Sequence, residues 1–253
     1  MPLTVHQFAC LEDNYGFLAL DEATGLAACI DTPDAGAILR ELKGLGWKLD
    51  LILNTHWHPD HAGGNAEVQA ATGCRIVGPA EVTRIAPVNL EVHGEDSVML
   101  GETRFEVIES GGHTLGHIAY FDAADRIAFV GDTLFALGCG RLFEGTAEQM
   151  WTSLQRLAAL PDDTIVYCAH EYTASNARFA LSVDDGPVLA ARAAQIFAAR
   201  ERGEWTVPTT IALEKATNPF LRAPLLAERV GASGEPDFKA FGAVRAAKDV
   251  FKG

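Results

Sequence analysis

Seven consecutive residues of the chain hold three imidazoles and one carboxylate. They are Thr55-His56-Trp57-His58-Pro59-Asp60-His61, directly after the apolar segment Leu49 to Asn54. Neutral imidazole nitrogens and carboxylate oxygens bind divalent transition metals, so these four donors can face two neighbouring ions. His56 and His58 alternate as on an extended chain and can share one ion, whereas Asp60 and His61 reach a second. The alternative is a polar surface loop with chance histidines.

Three further donors lie close to segments predicted to be strands. His113 lies in the glycine-rich run 110–117, Asp132 directly follows Phe129 and Val130 within Gly131-Asp132-Thr133, and His170 follows the predicted strand Thr164 to Cys168. We expect one ion on His56, His58 and His113, a second on Asp60, His61 and His170, and Asp132 as the bridge between them. Open coordination positions would remain for water.

Each of these assignments has a structural alternative. Asp132 could be a turn or cap residue, and His170 could be a core histidine. His117 lies just past a strand start, so we assign it a structural role or a hydrogen bond to a ligand. Cys139 in Gly138-Cys139-Gly140 could bind a soft metal, but Asp132 already fills the bridging position.

The predicted secondary structure places these donors at strand ends. Predicted strands are Leu3–Phe8, Gly16–Leu20, Leu26–Ile30, Leu49–Leu53, Cys74–Val77, Phe105–Ile108, His117–Phe121, Ile127–Val130 and Thr164–Cys168. Predicted helices are Ala35–Leu42, Asn65–Thr72 and Thr146–Leu160, followed by Thr173–Arg202 with a break at Gly186-Pro187, Thr210–Lys215, Asn218–Arg229 and Pro236–Phe251. Residues 78–101 read as short pieces and loops. The pattern indicates an α/β or α+β layered domain over residues 1–172 and a helical domain over 173–253.

Composition excludes several classes of protein. The net charge is −14, with 34 acidic against 20 basic residues, which disfavours a nucleic-acid partner. The chain has no apolar run of 18 residues and no signal-like start, so we expect a cytoplasmic protein without a membrane partner. The five cysteines are odd in number and widely spaced, which argues for reduced thiols. We expect a monomer.

The histidine loop at 56–61, together with His113, Gly131-Asp132-Thr133 and His170, resembles the metallo-β-lactamase superfamily. That resemblance implies an αββα sandwich, in which two sheets pack face to face with helices outside and metals at one edge. Further runs resemble the glyoxalase II family, the hydroxyacylglutathione hydrolases. They are Asp13-Asn14-Tyr15, 131–135, 138–146, 170–173 and 218–222.

The family resemblance implies a substrate, a glutathione thioester, typically S-D-lactoylglutathione, and a role in methylglyoxal detoxification. The positions that match the family's glutathione contacts are Arg141, Phe143, Tyr172 and Arg222. Lysine is common at the position of Arg141 and tyrosine at that of Phe143. A basic residue expected three positions after Arg222 is replaced by Leu225. The alternative for Arg222 is a solvated helix position.

The predicted chemistry needs no protein nucleophile. Two bound divalent ions, assigned as zinc with iron or manganese as alternatives, would bring the pKa of bound water towards about 7 and stabilise the thioester oxyanion. Asp60 and Asp132 are therefore the catalytic carboxylates. One alternative is a persulfide dioxygenase with a single iron on three ligands, and another is a β-lactamase. A binding module with a purely structural metal is the third, although such sites close with four donors.

Overall fold

The structure is a computed structural model that describes residues 2–253. The chain forms two compact units. The first contains the chain up to Glu109 and Gly116–Gly131, and the second contains Ser110–Leu115 and Asp132–Gly253. His113 therefore belongs to the second unit, although the strands on both sides of it belong to the first. The predicted boundary between residues 172 and 173 is a different division and stays a prediction.

The first unit consists of two sheets and three α-helices. Its strands are β1 (Leu3–Cys10), β2 (Asn14–Asp21), β3 (Leu26–Ile30), β4 (Leu49–Leu53), β5 (Arg75–Gly78), β6 (Leu90–Glu91), β7 (Ser97–Leu100), β8 (Thr103–Glu109), β9 (Ile118–Asp122) and β10 (Ile127–Gly131). Its α-helices are α1 (Ala35–Leu45), α2 (Pro59–Ala62) and α3 (Asn65–Thr72). A 3₁₀ helix spans Ala80–Arg84.

Strands β1 to β6 form one sheet in chain order, antiparallel as far as β3 and parallel from β3 to β6. Strands β7 to β10 form an antiparallel meander. The Phe17 and Phe129 rings, from one sheet each, lie 5.8 Å apart, so the sheets face each other over an apolar core. Helices α1 and α3 contribute Ile38 and Val68 to a separate buried cluster with the first sheet. The histidine loop leaves the carboxyl end of β4, as predicted.

The second unit is mostly helical. Its α-helices are α4 (Ala147–Ala158), α5 (Thr173–Val183), α6 (Pro187–Glu201), α7 (Ile211–Thr217) and α8 (Asp237–Val250). Its strands are β11 (Leu134–Phe135), β12 (Gly138–Cys139), β13 (Ile165–Cys168) and β14 (Thr209–Thr210), where β11 pairs with β12 and β13 with β14. None of the helices in residues 2–253 is long and apolar enough to cross a membrane.

Two predictions of local structure were incomplete or wrong. The predicted helix over Asn218–Arg229 is wrong, because the segment contains only a 3₁₀ helix at Ala223–Leu226. Pro224 lacks the amide hydrogen that a continuous helix would need at this position. Strands β6, β7, β11 and β12 were not predicted, since runs of two to four residues carry too little hydrophobic periodicity to be recognised.

Candidate metal centre and substrate pocket

In the first unit, the histidine loop brings three buried or half-buried imidazoles together. The Nε2 atom of His56 lies 3.0 Å from Nδ1 of His58, and the His56 and His61 ring centroids are 4.0 Å apart. Asp60 lies in the first turn of α2, where its carboxylate is 3.7 Å from Nε2 of His61. His117 is buried and stacks on His56, with ring centroids 4.7 Å apart.

Asp31, which was not predicted to be a site residue, fixes the orientation of this loop. Its carboxylate lies 2.8 Å from Nδ1 of His61 and accepts hydrogen bonds from the amide and hydroxyl of Thr55, each at 2.7 Å. The Thr55 hydroxyl in turn lies 3.0 Å from Nδ1 of His56. Because its Nδ1 faces a carboxylate, His61 keeps Nε2 for a metal. The signal was present in the sequence, since Asp31 follows β3 as Asp132 follows β10.

In the second unit, Asp132 faces two imidazoles at once. One carboxylate oxygen lies 3.4 Å from Nε2 of His113, and the other lies 3.4 Å from Nε2 of His170. The Nδ1 atom of His113 lies 2.9 Å from the carbonyl oxygen of Arg141, so His113 also keeps Nε2 for a metal. Two ligand atoms bound to one tetrahedral ion at 2.0–2.2 Å are themselves about 3.4 Å apart. The donors around Asp132 are therefore spaced as ligands of a metal ion would be.

Two predicted aromatic residues pack against these histidines. Tyr172 stacks on His170 with ring centroids 4.7 Å apart and planes 4° from parallel, and the Phe135 ring meets both of them edge-on. Phe143 packs edge-on against His113 at 5.2 Å, and 62% of its surface is exposed. These rings give His113 and His170 apolar walls.

A cavity of about 510 Å³ lies in the second unit, and His113 and Asp132 form part of its wall. The predicted residues Arg141, Phe143 and Tyr172 also line it. Two basic residues that were not predicted, Arg245 and Lys248 of α8, line it as well, with Asp249 beside them. Arg245 and Lys248 are three positions apart. The family resemblance predicts two basic residues with this spacing, and we had assigned them to positions 222 and 225.

Arg222 does not line this cavity. Its guanidinium lies 3.2 Å from the buried carboxylate of Asp184, and the residue borders a separate groove with Lys215, Leu221 and Leu225. The assignment of Arg222 to substrate binding is therefore not supported by its position. It is not a solvated helix residue either, because it precedes a 3₁₀ helix and is ion-paired.

Arg245 is held firmly in the cavity wall. It is 6% exposed, its Nη1 donates to the Cys139 carbonyl at 2.9 Å, and its Nη2 lies 3.0 Å from Asp249. Its Nε has no hydrogen-bond partner among the described residues. Its guanidinium lies 4.9 Å from the ring centre of Phe220. A guanidinium held in the wall of a cavity suits a carboxylate ligand.

Lys248 and Cys139 have shifted pKa values in this cavity. Burial, followed by the positive charges of Arg245, Arg178 and Arg141, lowers the pKa of Lys248. Burial raises the pKa of Cys139 to about 11, although Arg245 opposes the shift. All five cysteines are free and buried.

Comparisons with known proteins show which families the chain resembles. The family model of the metallo-β-lactamase superfamily matches residues 21–170, and that of the hydroxyacylglutathione hydrolase C-terminus matches residues 171–251. The chain is 54% identical to a hydroxyacylglutathione hydrolase of Maricaulis maris, covering 98% of this chain and 99% of that one. It is 51% identical to one of Erythrobacter litoralis, covering 98% and 100%.

Among solved structures, ETHE1 from Myxococcus xanthus superposes with a TM-score of 0.69 at 28% identity, covering 97% of this chain and 98% of that one. The α/β metallo-β-lactamase fold with a helical carboxyl-terminal region is thus confirmed. This fold and the cluster of histidines and aspartates indicate divalent metal binding. The two family models and the relatives matched along their whole length establish that the chain belongs to the hydroxyacylglutathione hydrolases of the metallo-β-lactamase superfamily.

Proposed function

We propose that this protein hydrolyses S-(2-hydroxyacyl)glutathione thioesters, such as S-D-lactoylglutathione, to glutathione and the free hydroxy acid. The observation that carries the proposal is the cavity of the second unit, which combines Asp132 and His113 with the cations Arg141, Arg245 and Lys248. Such a cavity suits a substrate with a reacting carbonyl at one end and carboxylates at the other. The relatives' names are consistent with this substrate.

We infer that seven residues would hold two divalent ions: His56, His58, Asp60, His61, His113, Asp132 and His170. Mixed nitrogen and oxygen donors suit zinc, and iron or manganese are the alternatives. Asp31 and the Arg141 carbonyl support this assignment, because each leaves the Nε2 atom of one histidine available.

When bound, such ions supply Lewis acidity that activates water and polarises the thioester carbonyl. Asp60 and Asp132 contribute negative charge at the reacting centre, while Tyr172 and Phe143 shield His170 and His113 from water. A thiolate with a free pKa of about 8.5 leaves without a strong general acid, so the site needs no further proton donor.

Glutathione carries two carboxylates and one ammonium. Arg245 is held by the Cys139 carbonyl and Asp249, and Lys248 Nζ lies 3.1 Å from the Ser175 hydroxyl, so both cations are positioned before substrate arrives. We assign one carboxylate to this pair and the second to Arg141. The Asp249 carboxylate lies beside them in the cavity wall.

The alternative of a single iron on three ligands is less well supported by the site. One ion would use one oxygen of Asp132, but both oxygens face a histidine Nε2 at 3.4 Å. A monomeric state, a cytoplasmic location and the division into a catalytic domain, residues 1–172, and a substrate-binding domain, 173–253, stay predictions.

The direct experiment is hydrolysis of S-D-lactoylglutathione, followed by thioester absorbance, with metal analysis of the same sample. We expect activity with close to two metal ions per chain, loss on chelation and recovery on adding Zn²⁺. A fully metal-loaded protein that leaves this thioester intact would exclude the proposed function. Full activity with one ion per chain would exclude the binuclear assignment alone.

The Arg245→Ala variant tests substrate recognition. Loss of a charge-assisted hydrogen bond costs about 1.5–3 kcal/mol, so KM should rise roughly 10-fold to 150-fold while kcat changes much less. A small thioester without the glutamyl and glycyl groups is the internal control, and the variant should lose far less activity on it than on the glutathione thioester. Equal losses on both substrates would assign Arg245 to the fold or to the metals.

A further inference from the structure

The hairpin formed by β11 and β12, residues 134–139, and the two residues that follow it, Gly140 and Arg141, contact every proposed metal ligand of the second unit. Asp132 lies two residues before its first strand. A Cβ atom built on Gly140, directly after its second strand, would lie only 1.9 Å from the Asp132 carbonyl oxygen. The carbonyl oxygen of Arg141, the residue after Gly140, lies 2.9 Å from Nδ1 of His113. The ring of Phe135, in the first strand of the hairpin, contacts the His170 ring. The position of the hairpin therefore determines the positions of all three ligands.

The turn of this hairpin is held by side chains from elsewhere in the second unit. Its residues are buried, and its Leu137 has a φ of 57°, which a residue other than glycine adopts at a cost. The Leu137 amide donates to the Glu214 carboxylate at 2.9 Å. The Asn218 amide donates to the carbonyls of Phe135 at 3.1 Å and Gly138 at 2.9 Å.

Asn176 and Arg245 complete this support. The Asn176 amide donates to the Ala136 carbonyl at 3.1 Å, and Arg245 donates to the Cys139 carbonyl at 2.9 Å. The main-chain polar groups of residues 135–139 thus depend on side chains of α5, α7, α8 and the segment after α7. We call Asn176, Glu214 and Asn218 the hairpin-support cluster.

Glu214 and Asn218 are themselves fixed. Both are fully buried, and the Asn218 amide lies 2.9 Å from a carboxylate oxygen of Glu214. The other oxygen accepts hydrogen bonds from Arg192 and from the Thr209 hydroxyl. The Asn218 side-chain oxygen accepts from the Phe220 amide at 2.9 Å. A buried charge with this many partners defines one position for the groups that it contacts.

We propose that Glu214 and Asn218 are positioning residues for the metal centre, acting through the 134–139 hairpin on His113, Asp132 and His170. The proposal rests on the metal ligands assigned under the proposed function. It gives the carboxyl-terminal region a second role, because a residue 86 positions after Asp132 would control metal affinity in addition to any role in substrate binding.

The test compares Asn218→Ala with Asp184→Ala, in metal-free and Zn²⁺-loaded protein. Asp184 is also buried in the second unit and bonds to Arg222 and the Gly186 amide, but to no hairpin residue. We expect Asn218→Ala to bind Zn²⁺ about 10-fold to 100-fold more weakly in competition with a chromophoric chelator. Hydrogen exchange in the metal-free protein should be faster across residues 132–141. Asp184→Ala should change neither quantity, even where its thermal stability falls as much.

Glu214→Gln is the second variant, should Asn218→Ala fail to fold. The glutamine side chain has the shape of glutamate and retains one acceptor oxygen, but it carries no charge. Hydrogen exchange at the Leu137 amide should therefore accelerate roughly tenfold. Unchanged exchange and a Zn²⁺ affinity within twofold of the parent in a folded variant would overturn the proposal. Both measurements are made without substrate, so they test the positioning role independently of whether the protein hydrolyses the thioester.

Discussion

The two units orient their metal-binding histidines with different chemical groups. In the first unit, a carboxylate, that of Asp31, lies 2.8 Å from Nδ1 of His61. In the second unit, a neutral carbonyl, that of Arg141, lies 2.9 Å from Nδ1 of His113. A carboxylate partner increases the basicity of its imidazole and can be removed by mutating one side chain. A carbonyl partner can be displaced only by moving the backbone, so the second half of the site depends on the packing of its hairpin.

The largest effect is expected for Asp132→Asn, which keeps the shape of the residue that faces His113 and His170 but removes its charge. Lewis-acid chemistry contributes several kcal/mol, so kcat on S-D-lactoylglutathione should fall by roughly 10³-fold, with lower metal content. Asp122→Asn is the control, because Asp122 is buried at the end of β9 and accepts from the Ala124 amide. A near-parental kcat for Asp132→Asn would mean that the donors of the first unit suffice.

An intermediate effect is expected for Asp31→Asn, which replaces the charged partner of His61 by a neutral one. Zn²⁺ affinity should fall about 10-fold to 100-fold, as measured by chelator competition. Asp21→Asn is matched to it, since Asp21 is a buried aspartate of the same sheet that bonds to Thr24 and Thr103. If both variants bound Zn²⁺ equally well, the contrast between carboxylate and carbonyl partners would have no energetic consequence.

A smaller effect concerns Lys248 and alkaline pH. Its pKa is lowered below the usual value, so the ammonium loses its proton at a lower pH than an ordinary lysine. In the proposed binding mode this positive charge contacts a glutathione carboxylate, so affinity should decrease as pH rises through that lowered pKa. The inhibition constant of an S-alkylglutathione should increase roughly tenfold over this range.

Lys248→Arg provides the comparison for the pH experiment, because a guanidinium stays charged throughout this range. The difference between the two pH profiles cancels the titration of the ligand itself. Identical profiles for the parent and Lys248→Arg would show that another group controls alkaline binding.

The smallest kinetic effect is expected for Arg222→Ala. Arg222 pairs with Asp184 outside the cavity, so KM should change by less than about twofold, whereas stability should fall by about 1–3 kcal/mol because Asp184 is left buried without its partner. Thermal unfolding and steady-state kinetics on one preparation separate the two quantities. A tenfold increase in KM without loss of stability would show that Arg222 contributes to substrate binding after all.

The proposed metal ligands were easiest to predict where they lie within a few residues of one another in the sequence. Residues 56–61 reveal their chemistry by spacing alone, and the long strands and helices follow from hydrophobic periodicity. The partner of His61 was missed because Asp31 is 30 positions away. Arg245 and Lys248 were missed because their role depends on the packing of α8, which no local pattern records. The same limit explains why the hairpin at 134–139 was not predicted, since its main chain is stabilised by residues up to 106 positions later.

Cys139 has a consequence for the redox behaviour of the protein. It lines the cavity in which the proposed reaction releases a free thiol, a setting where mixed disulfides could accumulate. Thiol–disulfide exchange requires a thiolate, and a pKa of about 11 leaves a thiolate fraction near 10⁻⁴ at neutral pH. Burial of this sulfur should therefore keep the protein from being glutathionylated by oxidised forms of its own product, even in an oxidising cell.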